Sequence, residues 1–143
     1  MIVILITAGR TIRNGDPIER VLRKYVERYG AENLILRHGA AKGGDSYGNW
    51  HAKKLKFAAI ESFPIDEEAW RLYGNAAGPI RNGEMLDAEQ IPDIVIAFPD
   101  DQSSGTYDCI DQAIARDIPV EVYPYYLSPD NPKRMKYYFY IKE

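Results

Sequence analysis

The chain has 143 residues, a length at which a single domain with its own core is the norm, burying roughly 68–70% of its unfolded surface. Its 18 Lys and Arg stand against 21 Asp and Glu, and a net charge of −3 argues against a protein that grips long nucleic acid through a basic face. One small anionic ligand stays compatible with that balance, while the single cysteine, Cys109, excludes an internal disulfide and a cysteine-rich zinc site.

The run Ile2-Val3-Ile4-Leu5-Ile6 is predicted as a strand buried on both faces. It stops at Ala8-Gly9-Arg10, too short for a membrane span or a signal peptide and with no basic region in front, so a soluble, cytoplasmic protein is expected. Asp16-Pro17 reads as an N-cap followed by proline at the first helical position. Behind it Ile18, Val21, Leu22, Tyr25 and Val26 share one helical face, and Gly30 ends the helix. Asn33–Arg37 is a second strand, Ser46–Lys56 a second helix and Phe57–Phe63 a third strand.

Asp66–Tyr73 reads as a short helix packed down by Trp70 and Tyr73, and Pro79 opens another through Leu86. Ile94-Val95-Ile96-Ala97-Phe98 is a further buried strand stopped by Pro99. Thr106–Arg116 is helical, and Val120-Glu121-Val122 forms a last core strand after Pro119. Beyond the proline-rich Tyr123–Pro132, Lys136–Lys142 alternates as an edge strand would. Strands alternating with helices predict parallel βαβ units and an α/β three-layer sandwich with a mostly parallel central sheet. No repeat or linker divides the chain, so residues 1–143 are one domain, with 123–143 a C-terminal extension.

In such a sheet ligands bind beyond the carboxyl ends of the strands, so the loops that follow them carry the candidate chemistry. Gly9-Arg10 after the first strand combines close backbone approach with a bidentate phosphate donor, or is simply a tight turn with a solvated arginine. His38-Gly39-Ala40-Ala41-Lys42-Gly43-Gly44-Asp45 places glycine N–H groups and Lys42 where an anion could lie, without the Gly-Lys-Ser/Thr ending of a Walker loop. Asp45 reads most simply as a helix cap, and neither His38 nor His51 has metal-ligand spacing, so no metal is expected. Arg81-Asn82, placed in the first turn after Pro79, would work against the helix dipole unless something anionic is bound. Ser104-Gly105-Thr106 opens a helix whose N–H groups suit a phosphate, with Ser104 or Thr106 as an N-cap the plainer role.

These segments resemble the YspA-like (cpYpsA-related) branch of the SLOG superfamily, which also holds the Lonely Guy phosphoribohydrolases and the Rossmann domain of the DprA/Smf proteins. The resemblance runs from Ile2 to about Val122, and rests on Thr7-Ala8-Gly9-Arg10, the His38–Asp45 loop, Ala77-Gly78-Pro79-Ile80-Arg81-Asn82-Gly83-Glu84-Met85, and Ala97-Phe98-Pro99 leading to Ser104-Gly105-Thr106-Tyr107-Asp108-Cys109. It implies a Rossmann-like fold with a pocket for a nucleotide or nucleotide-derived ligand, ADP-ribose derivatives prominent among those proposed. The Lonely Guy catalytic arginine falls on Arg81, and their Gly-Thr on Gly105-Thr106. Their catalytic glutamate position falls on Cys109, and Asp108, one residue earlier, would point about 100° away around a helix.

The expected function is therefore capture of a small phosphorylated, nucleotide-like molecule, as a sensor or sequestering protein, with no cofactor. Gly9, Arg10, Gly39, Lys42, Gly43, Gly44, Asp45, Arg81, Asn82, Ser104, Gly105 and Thr106 are the candidate ligand-binding residues. The alternative is a phosphoribohydrolase-like enzyme cleaving an N-glycosidic bond, with Arg81 on the phosphate and Asp108 as the catalytic acid or base. Nucleic-acid binding ranks last, resting on a local strip at Lys133-Arg134-Met135-Lys136. A homo-oligomer is expected, with Tyr125, Tyr126, Tyr137, Tyr138 and Tyr140 as interface candidates, or else as aromatics folded back over the core.

Overall fold

Residues 1–142 are described by a computed structural model, in which five strands form one all-parallel sheet. They are β1 (Ile2–Ala8), β2 (Leu34–His38), β3 (Ala59–Ser62), β4 (Ile94–Phe98) and β5 (Val120–Val122), in spatial order β3-β2-β1-β4-β5. β1 lies at the centre, with Ile2 opposite Leu34 of β2 and Ile4 opposite Ile94 of β4. Its side chains alternate between two cores, as the pleat requires. Ile4 and Ile6 pack with Ile18, Val21 and Leu22 of α1 (Asp16–Tyr29) and Ala52 of α2 (Gly44–Lys54). Leu5 faces the other way, onto Met85 and Leu86 of α4 (Ala77–Asp87) and Cys109, Ile110 and Ala113 of α5 (Ser104–Ala115). The chain is thus an α/β, Rossmann-like three-layer sandwich.

The path of the chain positions the site. β1 leads to β2 and β3 on one side, and then a crossover through α3 (Glu67–Tyr73) and α4 carries the chain to β4 on the other side of β1. The strand order reverses between β1 and β4, and their carboxyl ends diverge into a crevice.

Several expectations shift by a few residues for local reasons. Gly15, not Asp16, precedes the first helical residue of α1, where Asp16 and Glu19 place acid in the positive first turn. β3 is shorter than the expected Phe57–Phe63, spanning Ala59–Ser62 after a turn in which Lys56 has φ 64°. α4 begins at Ala77, so Pro79 lies inside its first turn, where no i−4 carbonyl is lost. Arg81 therefore falls in the second turn and does not oppose the dipole of the first. Trp70 and Tyr73 do not pack α3 down; they are 44% and 51% exposed, and α3 buries no residue.

The expected edge strand over Lys136–Lys142 is absent. Pro132 instead starts a short helix, α6 (Lys133–Lys136), followed by a 3₁₀ turn at Tyr138–Tyr140, and Ile141 alone bridges to Val122. The interface tyrosines divide accordingly. Tyr137 is core, its ring parallel to that of Tyr107 at 5.6 Å and its hydroxyl donating to Asp111, while Tyr126 and Tyr140 are half-buried. Tyr125 and Tyr138 remain exposed. The basic strip is spent on the fold: Arg134 donates to the carbonyls of Pro124, Leu127 and Ser128, and Lys133 sits 4.8 Å from the Tyr107 ring.

One buried charge escaped the sequence reading. Arg37 on β2 is 1% exposed, with Nε paired to Glu61 on β3 at 2.9 Å and Nη1 donating to the Met85 carbonyl at 2.7 Å. Met85 lies in the last turn of α4, so this guanidinium satisfies an orphan carbonyl where the dipole is negative. Among the described residues no helix is long and apolar enough to cross a membrane.

Candidate active cleft at the strand ends

A cleft of about 430 Å³ opens at the β1–β4 crevice. Its floor is the end of β1 through Gly9 and Arg10, and its walls are Ala41 and Asp45 beside α2, Trp70 of α3, Arg81 and Asn82 of α4, and Ser103 to Thr106 at the start of α5. Of the candidate residues, the fold brings Gly9, Arg10, Asp45, Arg81, Asn82, Ser104, Gly105 and Thr106 to this one place. Gly39, Lys42, Gly43, Gly44 and Asp108 do not line it.

The start of α5 is built to leave donors free. Ser103 precedes the helix but makes no capping bond, because its hydroxyl donates to Asp100 Oδ1 and accepts from the Asp100 N–H, both at 2.6 Å. The expected cap by Ser104 or Thr106 is not formed; Thr106 Oγ1 is buried against Thr7 Oγ1 at 3.4 Å. The Gly105 and Thr106 N–H groups thus have no side-chain cap at the positive end of a twelve-residue helix whose start lines the cleft, while the Ser104 N–H donates to the Gln102 carbonyl at 3.1 Å. A β-carbon on Gly105 would meet nothing within 4 Å, so the space in front of this turn is open.

Asp100 fixes the rim. Its Oδ2 accepts from Thr11 N–H at 3.0 Å and from the Thr11 hydroxyl, tying the loop after β1 to the loop after β4. Gly9 passes under this carboxylate, and a β-carbon there would overlap it. Burial alone would raise the Asp100 pKa, but the bonds from Ser103 and Thr11 outweigh it and hold the group below its usual value.

Arg10 is exposed and makes no ion pair or hydrogen bond among the described residues. Arg81 is braced: Nη1 donates to the carbonyls of Gly39 and Phe63, beyond the ends of β2 and β3, and Nε to Asn82 Oδ1 at 3.1 Å. Its Nη2 has no partner among the described residues. Burial lowers the Arg81 pKa from its usual value while the Asp45 carboxylate opposes the shift. Asn82 is buried and joins α4 to α5 by donating to the Gly105 carbonyl and to Asp108 Oδ2.

Asp45 does not cap α2; Gly43 precedes that helix, and Asp45 lies within its first turn. Its Oδ2 instead accepts from the N–H groups of Gly39 at 3.1 Å and Ala41 at 3.3 Å, closing the loop after β2. Burial pushes this carboxyl above its usual range, against the pull of the Ala41 amide and the Arg81 charge.

Gly43 and Gly44 join the start of α2 to the loop after β1. Gly43 has φ 77°, and its β-carbon would lie 2.6 Å from the Arg10 carbonyl oxygen, so only glycine lets α2 dock on the β1 loop. Gly44 N–H donates to the Gly9 carbonyl at 3.0 Å. His38 has both ring nitrogens engaged, by Asn49 Oδ1 and the Ala40 N–H. Lys42 is exposed in the turn before α2.

Asp108 is committed elsewhere. Its Oδ2 accepts from Asn82 at 3.0 Å and Gln112 at 2.8 Å in the α4–α5 seam. Cys109 is fully buried, and burial pushes its thiol up to about 12, which removes it as a nucleophile. A second hollow of about 550 Å³ lies beside α1, where the Tyr25 and Tyr123 hydroxyls both donate to Glu121. The sequence reading missed Trp70, Asn75 and Gln102 as lining residues; for Trp70 the available signal was its place in the crossover to β4, where strand order reverses.

No family model and no solved structure matches the chain. The Gene 61 protein of Mycobacterium phage D29 is 31% identical over 120 residues, an overlap covering 82% of this chain and 92% of the phage protein. The chain belongs to the family of that phage Gene 61 protein.

Proposed function

We propose that the protein binds a small phosphorylated, nucleotide-derived molecule in the β1–β4 cleft, as a sensor or sequestering protein. The observation that carries this is the uncapped first turn of α5, open to the same cleft as Arg10 and the free edge of Arg81. Trp70, half-exposed on the opposite wall, supplies a flat surface for a base or other ring. The volume, about 430 Å³, lies within the range of small-ligand sites. The resemblance to the YspA-like branch supports the same class of ligand. An N-glycosidic hydrolase draws less support, because Asp108 is held in the helix seam and Asp45 is the one carboxylate lining the cleft among the described residues.

A thermal-shift panel of AMP, ADP-ribose and inorganic phosphate tests this. A ligand that binds only the folded state stabilises it by about 2.7 kcal/mol at a hundred times Kd, so at least one nucleotide should raise Tm clearly. No shift with any nucleotide would remove the reading. Chromatography of the same mixtures should return the nucleotide intact; released free base would favour the hydrolase.

A further inference from the structure

The cleft carries one polar atom that the fold leaves without a partner. Asp45 Oδ1 is buried and has no hydrogen bond, and it is the one such side-chain atom among the described residues. The same carboxyl group has its other oxygen held by two loop amides, so it cannot turn away to find a donor without breaking them. An acceptor buried without a donor is costly, and natural structures keep one where a ligand or solvent completes it. Asp45 lines the same cleft as the start of α5, from the first turn of α2.

The donor that fits can be narrowed by charge. Arg81 already lies close enough to influence the Asp45 carboxyl, and the first turn of α2 adds a positive dipole. A cationic group on the ligand would meet this positive surrounding, whereas a neutral hydroxyl would not. We propose that Asp45 Oδ1 accepts a hydrogen bond from a ring hydroxyl of the bound molecule, so that the cleft selects phosphorylated sugars that keep their free hydroxyls over deoxy analogues. This rests on the nucleotide reading above and names the part of the ligand that Asp45 recognises. The phosphate at α5 supplies attachment, and the hydroxyl at Asp45 supplies selection.

The test compares AMP with 2′,3′-dideoxy-AMP by calorimetry, on the wild-type protein and on Asp45→Asn. Asparagine can turn its carbonyl oxygen to the Gly39 and Ala41 amides and so preserve the loop, while presenting an N–H₂ group in place of the free acceptor. The wild type should bind AMP at least about tenfold more tightly than the dideoxy compound, and the variant should reduce that gap below about threefold. Equal binding of both nucleotides to the wild type would overturn the role of Asp45 and leave the nucleotide reading standing, as would an undiminished gap in the variant. Should Asp45→Asn fail to fold, the wild-type comparison alone decides. Absence of AMP binding would overturn the proposal outright, while the Tm panel judges the nucleotide reading independently.

Discussion

Arg10 and Arg81 reach the same cleft with different attachments, and that difference can be measured. Arg10 is exposed and unpaired among the described residues, so Arg10→Ala should weaken nucleotide binding with little change in Tm. Arg81 also holds the carbonyls of Gly39 and Phe63, so Arg81→Ala should weaken binding and lower Tm together. A charge-assisted contact is worth about 1.5–3 kcal/mol, an affinity loss of roughly ten- to a hundredfold in either variant. Unchanged affinity in both would show that the anion lies elsewhere. At this scale the residue types were legible in the sequence, since glycine, arginine and serine at strand ends have few other uses in combination. The bonds each side chain makes were not. Asp45 read as a cap, but its carboxylate is drawn to amides of its own loop because those N–H groups have no other partner there.

On the proposed reading helix α5 holds the anion, and its first turn can be altered without touching the core. Gly105 lies at the second helical position with free space before it, so Gly105→Ala meets no clash. Alanine there should stabilise the fold by about 0.4–1 kcal/mol by restricting the unfolded chain. The added methyl projects toward open space at the cleft, so nucleotide affinity should fall in the same variant. A higher Tm with undiminished affinity would separate the start of α5 from the ligand. The elements themselves were readable from local signals: apolar runs for β1 and β4, and proline and glycine punctuation for α1. The misplaced ones have local explanations too. Alternation at Lys136–Lys142 resembled a strand, but a strand also needs a free edge in register, and only Ile141 pairs there.

The molecule as a whole is closed by its C-terminal extension, which is part of the core rather than an appendage. Leu127 and Tyr137 are buried with the residues of α5 and β5. Tyr137→Ala should cost about 3 kcal/mol, comparable to other buried aromatic truncations, whereas Phe139→Ala, at a residue 91% exposed, should stay within about 0.5 kcal/mol. Denaturant titration of the two variants checks the contrast.

The extension is also tied to the rim of the cleft by Asp101, which accepts from the Ser128 hydroxyl, the Ser128 N–H and Asn131. These bonds hold the Asp101 pKa at about 2, below its ordinary 3.8. A depressed folded-state pKa contributes stability that is complete above the unfolded value and lost as pH falls through the folded one. Stability should therefore decline between about pH 4 and pH 2, and Asp101→Asn should flatten that acid limb.

The layered α/β architecture, the parallel sheet and the loops at the strand ends all follow from periodicity and turn residues, which act between neighbours in the chain and so are written locally. Contacts between distant segments decide the rest. Asp108 lies two residues beyond Thr106 in sequence but is captured by Asn82 across the α4–α5 seam, and Arg37 is stabilised by a carbonyl 48 residues away. Whether a helix start keeps its donors, and whether a buried oxygen is left without one, depends on every group brought within reach. Those neighbours are assembled only when the sheet closes, and for this chain they fix which candidate residues face the cleft.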